Sequence, residues 1–277
     1  MFDSKKGFKS IATVIIIILF LLVTNKPFYS LANGQTSTPC DNGIIIRSTK
    51  SLPVILVHGW NEDSSIWLQW EQLLTQNRIP FCTITFKQSD DPCGSALDHA
   101  NELAQIVKKV KTMTGQNQVN IVGHSKGGLD ARLYLANSGT HDVANLIMIG
   151  TPNGGDPLAN EAATFSPLFN FFNISCRPAL FDLETGADDT IVMNSPHTNY
   201  YTIYGDWNPS LPCPLKAFEN QGFDELMRLN AGHNDGIIPV NSSESLLNFT
   251  NLGHTNHCHT GLLTAAEFAM AKSILKS

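Results

Sequence analysis

Short aliphatic runs alternate with amphipathic stretches along most of the chain. Val54 to Val57 is a continuous aliphatic run ending at His58-Gly59, the pattern of a strand buried on both faces. Ile66, Trp67, Trp70, Leu73 and Leu74 then recur at helical spacing, and Phe81 to Phe86 reads as a second strand. Leu97, Ala100, Leu103, Ala104, Val107 and Val110 predict an amphipathic helix. Val119 to Val122 predicts a third strand, followed by a helix marked by Leu129, Leu133 and Ala136. Leu146 to Ile149, Tyr200 to Tyr204 and Leu246 to Leu252 predict three more strands, and Ala265 to Leu275 a closing helix. This alternation predicts an α/β fold: a mostly parallel central sheet with helices on both faces. Residues 153–190 and 207–232 break the pattern and read as long insertions, which on such folds form lids or substrate walls.

The N-terminus follows a different rule. Lys5, Lys6 and Lys9 precede an apolar run from Ile11 to Val23, short for a membrane span of roughly 20 residues. Ser30-Leu31-Ala32 supplies small residues for cleavage after Ala32. Residues 1–32 are therefore expected to be a signal peptide, with an uncleaved anchor as the rival, and either predicts an exported, secreted or cell-surface protein. Residues 33–43 read as a polar linker within an N-terminal segment of 33–51, leaving residues 52–277 as one domain.

Composition narrows the partners. With 42% hydrophobic and 15% charged residues the chain is rich enough in apolar side chains to bury a core, which excludes a disordered protein. A net charge of −6 argues against nucleic acid, whose phosphates need clustered Lys and Arg. Six cysteines, an even number, fit an oxidising compartment. Cys82 and Cys93 flank a short polar loop and are the expected pair, while Cys40, Cys176, Cys213 and Cys258 leave three pairings open. Sequons at Asn173, Asn241 and Asn248 fit exported surface loops, although such triplets are common by chance.

The residues that carry chemistry begin at Gly123-His124-Ser125-Lys126-Gly127, a G-x-S-x-G. That pentapeptide alone arises by accident in roughly a tenth of chains this long. Its context changes the weight, because a strand enters it and an amphipathic helix leaves it, as a nucleophile elbow requires. The turn raises the Ser125 hydroxyl above the sheet, and the helix N-terminus aims free N–H groups at developing negative charge. A serine also needs a base, and the base an orienting acid. Asp235, in Asn234-Asp235-Gly236-Ile237-Ile238-Pro239, is the expected acid, with Asp206 the runner-up. His259, ahead of the closing helix, is the expected base, with His257 and His254 behind it. The expected oxyanion donors are the backbone amides of Lys126 and of Trp60, which follows the first core strand. His58 reads as a packed loop histidine, and His254, His257, Cys258 and His259 as no metal site.

At this point the chain resembles the α/β-hydrolases, and among them the bacterial secreted triacylglycerol lipases and related esterases. The likeness rests on five blocks in order: Val54–Trp60, Val122–Arg132, Ile149–Gly155, Asn234–Pro239 and His259–Leu263. It implies Ser125 as nucleophile, Asp235 as acid, His259 as base and the Trp60 and Lys126 amides as oxyanion hole. It implies hydrolysis of an ester or lipid through an acyl-enzyme, which calls for no cofactor, and contact with lipid surfaces. Some relatives bind a structural calcium, but no ligand set for one is placed in this sequence, so no metal is expected. The chain departs from the pattern at Asn153, where a histidine is usual, and at Lys126, more often Met, His or Gln. Phe165, Phe169 and Phe172, in a crowded aromatic run of the first insertion, are expected to wall the acyl side, or else to pack as a satellite core. Acyl transfer to an alcohol on the same site, and a surface-binding protein without catalysis, are the alternatives.

Overall fold

The computed structural model describes residues 39–44, 50–87, 94–138, 141–164, 179, 181–187, 195–208, 210–211, 213, 232–246 and 248–277. The leader, Cys93, Cys176, Asn173, Phe165, Phe169 and Phe172, with much of both insertions, lie outside the described residues.

Strands β1 (Asn42–Ile44), β2 (Val54–Val57), β3 (Phe81–Ile84), β4 (Val119–His124), β5 (Val143–Ile149), β6 (Asn199–Gly205) and β7 (Thr250–Thr255) form one sheet. Its order is β1-β3-β2-β4-β5-β6-β7, parallel throughout except for β1, which runs antiparallel to β3 at the edge. The described α-helices are α1 (Leu68–Gln76), α2 (Ala96–Thr114), α3 (Lys126–Ser138), α4 (Pro157–Thr164), α5 (Val240–Ser243) and α6 (Ala265–Lys276), with short 3-10 helices at Ser64–Trp67 and His259–Gly261.

All four residues of β2 are 0% exposed, which explains why its sequence shows a run and no alternation. The pleat sends Ile55, Val57, Ile121, Leu146 and Met148 to one face, against Leu103, Val107 and Val110 of α2 and Tyr134 and Leu135 of α3. Val54, Leu56, Val122, Ile147 and Ile149 go to the other, against Trp67, Trp70 and Leu74 beside α1 and Phe268 and Leu275 of α6. Trp70 meets Phe268 edge-on at 5.2 Å. Burying such a ring, roughly 150–250 Å² at about 25 cal/mol per Å², contributes roughly 4–6 kcal/mol, and Trp70→Ala would cost about 3–5 kcal/mol.

Helix boundaries follow local chemistry. α2 starts where the Ser95 hydroxyl accepts from the Asp98 amide and stops at Gly115, whose φ of 72° is left-handed. α6 starts in a reciprocal cap between Thr264 and Glu267.

Three sequence expectations need correction. The linker read over 33–43 stops short of its end, because Asn42 and Gly43 begin the strand Asn42–Ile44, which pairs with β3. Cys82 is bonded to Cys40 and not to Cys93: β1 sets Gly43 opposite Cys82, and the Asp41 amide donates to the Thr83 carbonyl. That pairing brings the two cysteine Cα atoms to 5.1 Å, within disulfide reach. The last strand starts at Thr250 and not Leu246, since Asn248 turns left-handed at φ 56° and interrupts extension. Lying at the sheet edge and partly exposed, β7 lacks the apolar run that marks the inner strands. Cys213 and Cys258 form a second bridge.

The strand order decides where a site belongs. The chain leaves β2 to build β3 on one side and returns to place β4 on the other. The helices after β2 and β4 pack on opposite faces. A crevice opens at the carboxyl ends of two such strands. Val57 is in register with Gly123, so the loop His58–Trp60 emerges beside Ser125.

Candidate active site

Ser125 sits at that crevice with φ 52°, a left-handed conformation that a non-glycine residue adopts only when its surroundings enforce it. Its amide is pinned to the Ile149 carbonyl of β5 at 2.9 Å, and its carbonyl accepts from the Gly128 amide at 3.1 Å. The flanking glycines are required by close approach. A Cβ on Gly127 would lie 2.4 Å from the His58 carbonyl oxygen, and one on Gly123 2.6 Å from the Gly128 nitrogen. Helix α3 begins at Lys126, so this amide belongs to the first turn, whose N–H groups have no intrahelical acceptor.

Asp235 and His259 are brought together from separate loops. Asp235 lies in a turn closed by the bridge between Asn234 and Pro239, and its Oδ1 accepts from the amides of Ile237 (3.0 Å) and Ile238 (2.7 Å). The His259 Nδ1 donates to the other oxygen, Oδ2, at 2.7 Å. Both side chains are buried. A base needs the tautomer that donates at Nδ1 and keeps its lone pair on Nε2, and the bond to Asp235 holds the ring in the orientation that tautomer requires. The His259 ring stands 4.8 Å from the ring of His124, the residue before Ser125.

The other candidates are engaged elsewhere. His254 lies within β7 and stacks on Tyr204 at 5.4 Å. His257 gives its Nδ1 to the buried Glu267 carboxylate at 2.8 Å. Asp206 pairs with the exposed His233 at 2.8 Å. Cys258 is in the bridge to Cys213. His58 is buried, its Nδ1 donates to the Gly59 carbonyl at 2.8 Å, and burial holds its pKa below the usual imidazole value, so it stays neutral. Asn153 anchors the loop after β5, with Nδ2 donating to the Ser243 carbonyl at 2.9 Å and Oδ1 accepting from Arg132 at 3.2 Å.

Sequence reasoning missed a buried charge cluster under the elbow. The Lys126 ammonium is 1% exposed, 2.6 Å from Asp130 Oδ1 and 3.5 Å from Asp182. Asp130 Oδ2 accepts from His99 Nδ1 at 2.8 Å, and the His99 ring stacks on Phe86 at 4.0 Å. The i,i+4 spacing of Lys126 and Asp130 was readable. Their link to His99 and Asp182 was not. Also missed was Asp156, buried beyond β5, whose carboxyl burial pushes up to about 7; the Leu158 amide opposes this and the Asp235 charge adds to it.

Residues 53–201, just over half of the chain, match the palmitoyl protein thioesterase family. The chain is 27% identical over 156 residues to triacylglycerol lipase 2 of Saccharomyces cerevisiae, covering 52% of this chain and 45% of that one. It is 34% identical over 117 residues to a triacylglycerol lipase of Pseudarthrobacter phenanthrenivorans, covering 39% of this chain and 35% of that one. The chain thus aligns with less than half the length of these curated relatives. Among solved structures, the mature form of a Bacillus licheniformis lipase superposes with a TM-score of 0.70 at 22% identity, covering 86% of this chain and 96% of that one. A metagenomic carboxyl esterase superposes with a TM-score of 0.63 at 17% identity, over 90% of this chain and 81% of that one. At these identities the superpositions speak for the fold, which is that of the α/β-hydrolases.

Proposed function

The chain belongs to the palmitoyl protein thioesterase family of α/β-hydrolases, and from that premise we propose that it hydrolyses carboxylic esters through an acyl-enzyme on Ser125. The observation that carries the reading is the buried Asp235–His259 pair, its imidazole 4.8 Å from the ring of His124, next in sequence to a serine held at left-handed φ.

In this reading the Ser125 Oγ attacks the ester carbonyl carbon while His259 Nε2 takes the hydroxyl proton. Asp235 holds the His259 ring by Nδ1 and stabilises the imidazolium that forms. The Trp60 and Lys126 amides hold the oxyanion, each donor contributing about 10²–10³-fold to turnover. The imidazolium returns its proton to the leaving alcohol. Water then adds to the acyl carbon as His259 takes its proton, and the imidazolium returns that proton to Ser125 Oγ as the Oγ–acyl bond breaks and the acid leaves. Thioesters would follow the same path with a thiol as leaving group. The lipase relatives and the thioesterase family make acyl glycerols and long-chain acyl thioesters the first substrates to test.

Export is part of the proposal, supported by the Cys40–Cys82 and Cys213–Cys258 bridges and by the leader pattern. No described helix is long and apolar enough to cross a membrane.

The test is a p-nitrophenyl ester chain-length series with a parallel acyl thioester series on purified protein. Ser125→Ala is expected to fold and to lose on the order of 10⁴-fold or more in turnover. A fluorophosphonate probe is expected to label Ser125 in the parent and nothing in the variant. Unchanged labelling or hydrolysis in Ser125→Ala would overturn the proposal.

A further inference from the structure

Both ring nitrogens of His124 face acceptors. Nδ1 lies 2.8 Å from Glu62 Oε2, and Nε2 lies 3.1 Å from the backbone carbonyl oxygen of His259. A carbonyl oxygen has no proton to give, so Nε2 must donate. Glu62 Oε2 also accepts the Gly59 amide at 2.8 Å, and as a carboxylate it can only accept, so Nδ1 donates there too. An imidazole that donates twice is an imidazolium.

We propose that Glu62, partly buried, and His124, buried, form an ion pair that positions three catalytic pieces against one another: the oxyanion loop, the nucleophile elbow and the base loop. The inference rests on the reading of Ser125 and His259 as nucleophile and base.

Each contact ties one piece. Glu62 holds the Gly59 amide, one residue before Trp60, whose own amide is the proposed oxyanion donor. His124 is covalently next to Ser125. The carbonyl that His124 grips belongs to His259 itself. The backbone is shaped for this closure: Asn61 turns left-handed at φ 56°, which folds Glu62 back onto Gly59. The fit at Gly59 leaves no slack. A Cβ there would lie 2.8 Å from Glu62 Oε2 and also 2.8 Å from Ser125 Cβ.

The charge state agrees with the contacts. Burial opposes ionisation of both groups, and each is overruled by its partner. Beside the His124 cation the Glu62 carboxyl falls to about 2, while the Glu62 carboxylate holds His124 above the usual imidazole range. The charged and titratable groups facing His124 are Glu62 from the loop after β2, His259 from the loop after β7, and Asp235 from the turn before α5. Two of these are anions, which favour the cation, and His259 meets it with a carbonyl.

The role is one of positioning, because neither side chain is assigned contact with substrate. Displacing an oxyanion donor by about 1 Å is enough to cost roughly 100-fold in turnover. A merely structural pair would change stability alone.

The test has two arms. The first reads the pair directly, by imidazole ¹⁵N–¹H correlation spectra of the full protein at pH 8. Two protonated ring nitrogens are expected at His124 in the parent and one in Glu62→Gln. A single protonated nitrogen in the parent would overturn the ion pair, whatever Ser125 does. The second arm measures kcat and KM on a p-nitrophenyl ester. In Glu62→Gln, kcat is expected to fall about 10- to 100-fold, with KM within about threefold of the parent. Should that variant not fold, Glu62→Asp keeps the charge but withdraws it by one methylene, and the same fall in kcat is expected. Unaltered kcat in a folded variant of either kind would overturn the positioning role. Failure of the parent to label at Ser125 with a fluorophosphonate would instead fell the reading of the site, and the positioning role with it.

Discussion

His259 and Asp235 are joined twice, by Nδ1 to Oδ2 at 2.7 Å and by the His259 amide to the Asp235 carbonyl at 2.8 Å. The backbone bond sets the distance between the two loops, so a change of side chain need not move them. Asp235→Asn separates the two contributions. Its amide oxygen can still accept from Ile237 and Ile238, leaving an NH₂ toward His259 that favours the wrong tautomer. Turnover is expected to fall about 10³- to 10⁴-fold with little change in the thermal midpoint. Ester kinetics with a circular dichroism melt test this, and a loss under tenfold in folded protein counts against Asp235.

Glu267 is fully buried and accepts from Thr255 (2.6 Å), His257 (2.8 Å) and both the amide (2.9 Å) and hydroxyl (2.5 Å) of Thr264. It thereby fixes the loop on which His259 rides. His257→Ala removes one donor of four and is expected to keep turnover within about threefold, whereas His259→Ala should match Ser125→Ala. The reverse ranking would make His257 the base. Glu267→Gln, which replaces an acceptor with a donor facing donors, is expected to lower stability by about 1–3 kcal/mol in urea titration.

Asp156 makes stability depend on pH in an unusual direction for a carboxyl. Its folded pKa, about 7, lies above its unfolded value of 3.8. Between those values the folded protein holds a proton that the unfolded chain has lost. The stabilisation is full below about pH 4 and disappears as pH rises through 7, for a difference of up to roughly 4 kcal/mol. Asp156→Asn keeps the acceptor for the Leu158 amide and abolishes the titration. The variant is therefore expected to gain stability over the parent from pH 4.5 to pH 8. Parallel pH dependences in urea unfolding would exclude a buried neutral Asp156.

The Cys40–Cys82 bridge ties an edge strand of three residues to β3, and the Cys213–Cys258 bridge ties residue 213 to the residue before His259. Each closes a loop of more than 40 residues, for a contribution of roughly 2–4 kcal/mol. Cys40→Ser is expected to lower the thermal midpoint with little effect on kcat, while Cys213→Ser should affect both. Mass mapping of unreduced peptides tests the pairing itself, and a Cys82–Cys93 peptide would refute it.

What the sequence revealed and what it hid divide by range of interaction. β2 and β4 were legible because full burial leaves a local run of aliphatics, and Ser125 because an elbow needs glycines within two residues. Asp235 and His259 stood out by their place after predicted strands. β1 was hidden because a three-residue edge strand buries too little to leave a pattern, and the start of β7 because an edge strand is half exposed. Glu62 with His124, and His99 with Asp130, are contacts across 62 and 31 residues. No local spacing encodes them, so only the fold reveals them.

Lys126 is the clearest case of a residue with separate backbone and side-chain duties. Its amide is the proposed oxyanion donor, and its ammonium is buried between Asp130 and Asp182. Lys126→Met keeps the amide and the volume but leaves the buried Asp130 carboxylate without its cation, which is expected to cost about 3–5 kcal/mol. Removing Asp130 as well, in Lys126→Met/Asp130→Leu, relieves part of that penalty, so the double variant should be more stable than the two single losses summed, by about 0.5–3 kcal/mol. Turnover of the folded Lys126→Met fraction should stay within about threefold of the parent, because a backbone donor survives the substitution. Urea titration gives the coupling, and kcat measured at a temperature where both proteins are folded gives the second quantity. A collapse of kcat with stability unchanged would mean that the ammonium itself, and not the amide alone, acts at the reacting centre.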